Sequence, residues 1–254
     1  MTMTATEKDT GAEEARVCVE RLRQRANGLF EERIFSHPFN RELFEGRLAR
    51  EKFVGFLKNW YTFSVEINTG KCAAVDLYLP FLKRHPDCYD ILSDAVADEL
   101  IHPGPGGHVK MFIPLAAAFD VPMSDLVNAK LIPEARALVD VRCRLLRVGP
   151  FAEAIAASLS ESSIGEWLGR MGGALEKHYG LTSEQTIYFS KHYEADTQEH
   201  EQGSMAHGLG MAYILQKIIE DGYRPERPGF DLEYTAELSI HLYELFLNGV
   251  YSRY

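Results

Sequence analysis

The chain has 254 residues, 46% hydrophobic and 25% charged, a balance that allows one large core and excludes a disordered or fibrous protein. A formal charge of −10 with no stripe of Lys and Arg argues against a nucleic-acid partner and an anionic membrane surface. The longest apolar runs, such as Met111 to Phe119, stop far short of the roughly 20 residues that span a bilayer.

Met1 to Glu14 is polar and lacks the apolar segment of a secretory signal. Residues 1–14 are therefore expected to form a disordered tail, ahead of one helical domain over residues 15–254 of a cytoplasmic protein. Apolar residues recur at helical spacing from Glu13 to Arg33, and the pattern breaks at Ser36, His37 and Pro38. Arg50 to Thr69 reads as the second helix, carrying Phe53, Phe56, Trp60 and Phe63 as an aromatic stripe.

Pro80 and Pro86 bracket a connection, and Asp87 to Ile101 follows as a helix. The run His102 to Gly107, HPGPGG, cannot continue an α-helix, so the chain loops before resuming at His108. Further helices are expected over His108 to Phe119, Ser124 to Ala129, Pro133 to Val148 and Pro150 to Gly172. Thr182 to Glu220 is the longest periodic stretch and is expected to be one helix, stopped by Gly222 and Pro225. Asp231 to Ser252 is the last. The cysteines Cys18, Cys72, Cys88 and Cys143 form no CxxC pair and read as reduced, mostly buried thiols.

His192, Asp196 and His200 recur every fourth residue, a step that advances only about 40° around a helix and puts imidazole, carboxylate and imidazole on one face. Nitrogen and oxygen donors without thiolate suit iron or manganese, although such a face can also be simply solvated. Glu161 sits among Ala156, Ala157, Leu159 and Ile164, where a core-facing carboxylate needs a cation; Glu153 and Glu166 are rivals on the same expected helix. Glu99 and His102 share a helix face, while His108 lies beyond a loop that can fold it back toward Glu99. Either histidine can complete a site, and His102 can instead cap its helix. The paired ExxH motif of ferritin-like diiron proteins is absent.

From about Phe53 to the C-terminus these residues resemble the heme-oxygenase-like diiron oxidases and oxygenases, whose fold is shared with TenA and pyrroloquinoline-quinone synthase. That family draws a Glu and a His from one core helix, a Glu from a second, and a His-x3-Asp-x2-His motif from a third. The resemblance implies metal ligands at Glu99, His108, Glu161, His192, Asp196 and His200, with His102 and Glu199 as alternates. The family spacing falls on Glu199, one residue before His200.

It further implies an all-α, single-domain heme-oxygenase-like bundle of about seven to nine helices. The cofactors would be two Fe(II)/Fe(III) ions with O2, acting on an amino acid or derivative in a biosynthetic pathway, without nucleic acid or membrane and as a possible homodimer. Tyr61, Glu66 and Lys71 are expected near the substrate. The HPGPGG loop also resembles the glycine-rich segment of pyrroloquinoline-quinone synthases, which oxidise without metal. A metal-free oxidase or TenA-like hydrolase is thus the alternative, and a non-catalytic helical binding protein a second.

Overall fold

The computed structural model describes residues 5–102, 104, 106–198, 205–225 and 231–254, with side chains from residue 11 onward. In chain order its α-helices are α1 (Ala5–Phe30), α2 (Pro38–Phe44), α3 (Arg50–Leu77), α4 (Leu79–Leu82), α5 (Pro86–Leu100), α6 (Phe112–Ala118) and α7 (Met123–Val127). They continue with α8 (Pro133–Val148), α9 (Phe151–Ala156), α10 (Glu161–Tyr179), α11 (Ile187–Thr197), α12 (His207–Glu220) and α13 (Leu232–Arg253). A π-helical turn, Glu31–Phe35, follows α1, and a 3-10 turn, Gly107–Met111, leads into α6. No strand occurs among the described residues.

The all-helical expectation holds, but the chain is more finely divided than the seven to nine helices expected. Helix α1 begins at Ala5, within the span expected as a tail. The helix expected over Pro150 to Gly172 is two, α9 and α10, separated at Ala157 to Ser160. A buried arginine explains the break: Arg142 donates to the Ala157 carbonyl and, at 2.9 Å, to Ser158 Oγ, so backbone released from the helix is paired. The stretch expected as one helix from Thr182 to Glu220 begins only at Ile187 and ends its first part at Thr197, with Gln198 extended. Thr197 Oγ1 donates back to the Tyr193 carbonyl, a bond that competes with the helix.

Two apolar clusters hold the molecule. The larger is centred on the stripe of α3, where Phe53, Phe56, Trp60, Phe63 and Ile67 are all buried at steps of three and four residues. Trp60 stacks on Phe56 at 5.4 Å and meets the edge of Trp167 from α10 at 5.5 Å. Burying side chains of this size stabilises the fold by about 1.5–3 kcal/mol each, so the stripe fixes the axis of α3. The smaller cluster joins Leu22 of α1, Leu92 and Ala95 of α5, Ile155 of α9 and Met211 and Leu215 of α12.

Helices α10 and α11 pack closely along a face of glycines. A Cβ at Gly165, Gly169 or Gly172 would lie 2.6 Å from Asp196 Cβ, 2.9 Å from Tyr193 Cδ2 and 2.9 Å from Phe189 Cβ respectively. The three glycines follow one face of α10, so α11 lies almost on the α10 backbone and delivers His192 and Asp196 beside the start of α10. That start is Glu161.

Candidate metal centre

Side chains from four elements meet at one cavity, Asn68 and Lys71 of α3, Glu99 of α5, Glu161 of α10, and His192 and Asp196 of α11, and the 3-10 turn places His108 beside Glu99 and His192. The cavity's apolar wall includes Trp60, Phe63, Ile67, Ile164 and Leu168, and Arg142 lines it from α8.

Glu99 stands at the penultimate position of α5. Its Oε2 accepts from Asn68 Nδ2 at 3.0 Å, and its Oε1 lies 3.6 Å from Lys71 Nζ and 3.7 Å from His192 Nε2. Burial by itself raises its pKa, yet Lys71 and His192 hold the carboxyl well below the usual range. The loop after α5 turns back through Gly107, bringing His108 Nδ1 to 3.9 Å from Glu99 Oε2. Burial and the neighbouring His192 push the His108 imidazole down to about 4, so the ring is neutral at physiological pH.

His192 donates Nδ1–H to the Tyr188 carbonyl at 2.8 Å, which directs Nε2 toward Glu99. Tyr188 is itself fixed: Trp60 Nε1 donates to its hydroxyl at 2.8 Å, and Ser64 Oγ lies 3.1 Å away. Burial lowers the His192 pKa, but the adjacent Glu99 carboxylate raises it above the ordinary histidine value. The His108 and His192 rings are 4.6 Å apart.

Glu99, His108 and His192 form a group whose donor atoms all lie within 4.8 Å of one another, with every member buried. His108 Nδ1 has no hydrogen-bond partner, nor has the buried Glu161 Oε2. A buried polar atom left unpaired costs about 1–3 kcal/mol, so both invite a ligand. Neutral imidazole nitrogen with carboxylate oxygen, and no thiolate, is a donor set suited to a first-row divalent metal such as iron. The residues fit such an ion.

Of the expected ligands, Glu99, Glu161, His192 and Asp196 line the cavity, His108 is grouped with Glu99 and His192, and His102 is exposed. His200 and Glu199 lie outside the described residues. The rivals of Glu161 are accounted for: Glu153 accepts from Tyr223 at 2.6 Å, and Glu166 is exposed beside Arg170. Among the residues expected near a substrate, Lys71 lines the cavity. Glu66 is paired with Arg136 at 3.0 Å, and Tyr61 packs edge-on against Phe112.

Sequence reasoning missed His207, the first residue of α12. It is buried between Asp196 Oδ1 at 3.3 Å and Asp98 Oδ2 at 3.2 Å. Burial lowers its pKa, but the hydrogen bonds it donates to Asp196 and Asp98 raise it to about 10, so it is an imidazolium that fixes Asp196. A lone histidine in SMAHGLG carries no spacing signal that points to Asp196. Asn68 was missed for the same reason.

The family model described as TENA/THI-4/PQQC matches residues 23–207. A pyrroloquinoline-quinone synthase of Ectopseudomonas mendocina (strain ymp) is 27% identical over 126 residues, 49% of this chain and 48% of that protein. The chain thus spans about half the length of this curated relative. Among solved structures, a TenA homolog of Pseudomonas syringae pv. tomato has a TM-score of 0.69 at 19% identity, covering 92% of each chain. A domain of unknown function with a heme oxygenase-like fold, from Shewanella denitrificans, reaches 0.67 at 14% identity, again over 92% of each. These likenesses show the heme-oxygenase-like fold.

Proposed function

This chain belongs to the TENA/THI-4/PQQC family, and we propose that within it the protein is an O2-using oxidase or oxygenase that works with two non-heme iron ions on a small substrate in a biosynthetic pathway. The observation that carries the reading is the buried group Glu99, His108 and His192, with His108 Nδ1 unpaired. Those three residues would hold one ion. Glu161 and Asp196 would supply donors for the other, completed by His200 or Glu199. When bound, iron supplies the electron transfer to O2 that side chains cannot perform.

The protein's own part is placement and exclusion. Asn68 orients Glu99, the Tyr188 carbonyl sets the His192 tautomer, and His207 holds Asp196. Trp60, Phe63, Ile164 and Leu168 keep bulk water from the cavity. Lys71 gives that cavity a cation that suits the carboxylate of an amino acid, the substrate class we favour. N-oxygenation, oxidative C–C cleavage, desaturation and nitrile formation all fall within this chemistry.

A metal-free oxidase or TenA-like hydrolase is the second reading. It is favoured by one observation: the Glu99 carboxylate is paired with Lys71 and Asn68. A panel of amino acids supplied with O2 to Fe(II)-loaded protein separates the two. The iron reading expects substrate-dependent O2 uptake that a strong chelator abolishes; uptake or hydrolysis that survives the chelator supports the second.

A further inference from the structure

We propose that a groove at the ends of α3, α8 and α12 is a second binding site, separate from the metal centre, for a small aromatic carboxylate.

The groove has a volume of about 600 Å³, within the roughly 300–1,000 Å³ of small-molecule sites. It shares no lining residue with the cavity that holds Glu99. Leu77 ends α3, Arg147 and Val148 end α8, Phe151 opens α9, and Tyr223 and Arg224 follow α12. Leu77 is 47% exposed and Val148 65%, so two apolar side chains of the lining stand in solvent. Apolar surface gathered in a concave site gains free energy when a ligand covers it.

The wall behind them is already ordered. The Tyr78 hydroxyl donates to the Gly149 carbonyl, and its ring stacks on Phe151 at 4.3 Å with 18° between the planes. Tyr223 is pinned from beneath, because the buried Glu153 carboxylate accepts from its hydroxyl at 2.6 Å. A preformed wall lowers the entropy lost on binding.

Charge selects the ligand. The chain carries a formal charge of −10, yet the charged side chains lining this groove are Arg147 and Arg224, with no acid among them. Arg147 donates to Thr69 Oγ1 at 2.6 Å and Arg224 to the Tyr223 carbonyl at 3.3 Å; among the described residues neither is paired with a carboxylate. A guanidinium is a planar fork that takes a carboxylate by two hydrogen bonds and lies against aromatic faces. Two of them on a wall of Tyr78 and Phe151 suit a ligand that carries both groups.

The test is isothermal titration of the full chain with naphthoate, the neutral naphthylmethanol and the cationic naphthylmethylamine. The wild type is expected to bind one equivalent of naphthoate at least about tenfold more tightly than the alcohol, with the amine weakest. Arg147→Gln and Arg224→Gln in one chain are expected to weaken naphthoate at least about tenfold and to leave the alcohol within about twofold. Val148→Asp, which sets a like charge beside the carboxylate, is expected to weaken naphthoate in the same direction. All three positions are exposed, and circular dichroism checks that the variants fold.

A wild type that binds no naphthoate, or binds acid and alcohol alike, overturns the proposal. So does a doubly substituted chain that keeps wild-type affinity, since the naphthoate then sits elsewhere. No groove residue is a candidate metal ligand, so none of these outcomes depends on the iron reading.

Discussion

At Gly107 the backbone has a φ of +51°, and a Cβ there would lie 2.1 Å from the Glu99 carbonyl oxygen. Both constraints act on the residue before His108, so the turn that returns the imidazole to Glu99 depends on a missing side chain. Gly107→Ala is expected to strain the turn by about 1–3 kcal/mol and to weaken metal binding at least about tenfold, checked by thermal melting and by Co(II) titration. A variant with wild-type affinity counts against His108 as a ligand.

His37 carries a pH effect away from the cavity. Its Nδ1 accepts the Phe39 N–H at 3.1 Å as the cap of α2, and its Nε2–H donates to Asn248 Oδ1 at 3.1 Å. Only the neutral ring fits both bonds, and burial lowers its pKa below the ordinary value. The unfolded chain therefore takes up the proton first as pH falls, and stability is lost below about pH 6.5 through the native pKa. His37→Asn keeps a capping acceptor and removes this titration, so its stability difference from wild type should change sign-consistently between pH 7 and 5, measured by urea unfolding.

The shared face of His192 and Asp196 was legible in the sequence from their four-residue step, whereas the helical spacing of Glu99 pointed to His102, which is exposed. His108 against His102 was not, since only the positive φ of Gly107 decides which histidine the loop returns.

At the scale of elements, several boundaries match the sequence reading, but the stop expected at Gly172 does not, since α10 runs on to Tyr179 and ends at the left-handed Gly180. The break before Pro38 and the starts of α3 at Arg50, α8 at Pro133 and α13 near Asp231 all stand. What escaped were breaks made by tertiary partners. Ala157 to Ser160 contains no strong breaker, and the helix opens there because Arg142, fifteen residues earlier, takes the Ala157 carbonyl. The correction matters for chemistry, because it makes Glu161 the first residue of α10 and not a mid-helix residue.

The glycine face of α10 gives a test at this scale. Gly169→Leu forces a branched side chain against Tyr193, where even a Cβ would lie 2.9 Å from Cδ2. Overpacking should cost about 1–3 kcal/mol in chemical unfolding and separate Glu161 from Asp196, weakening the second metal equivalent more than the first. An unchanged midpoint would mean that α11 does not depend on this close contact.

For the whole molecule, the two apolar clusters are spanned by helices that also carry the site: α5 belongs to the smaller cluster and presents Glu99 to a cavity walled by the larger. Metal binding should therefore register as global stability. At a free Fe(II) concentration about 100 times Kd, linkage stabilises the folded chain by about 2.7 kcal/mol, a rise in Tm of about 5–11 °C for a protein of this size. Among the described residues no helix is long and apolar enough to cross a membrane. None of the cysteines described forms a disulfide, and burial pushes the Cys88 thiol up to about 12, whereas Cys72 is exposed.

The most direct measurement is iron per chain after anaerobic Fe(II) loading and removal of free metal, on wild type, Glu99→Ala and His192→Ala, followed by O2 consumption on a single pulse. The account predicts at least one iron per wild-type chain, a loss of most of it in both variants, and O2 uptake that follows the iron. Wild-type chains that hold no iron above background, or variants that hold and use it as the wild type does, would contradict it.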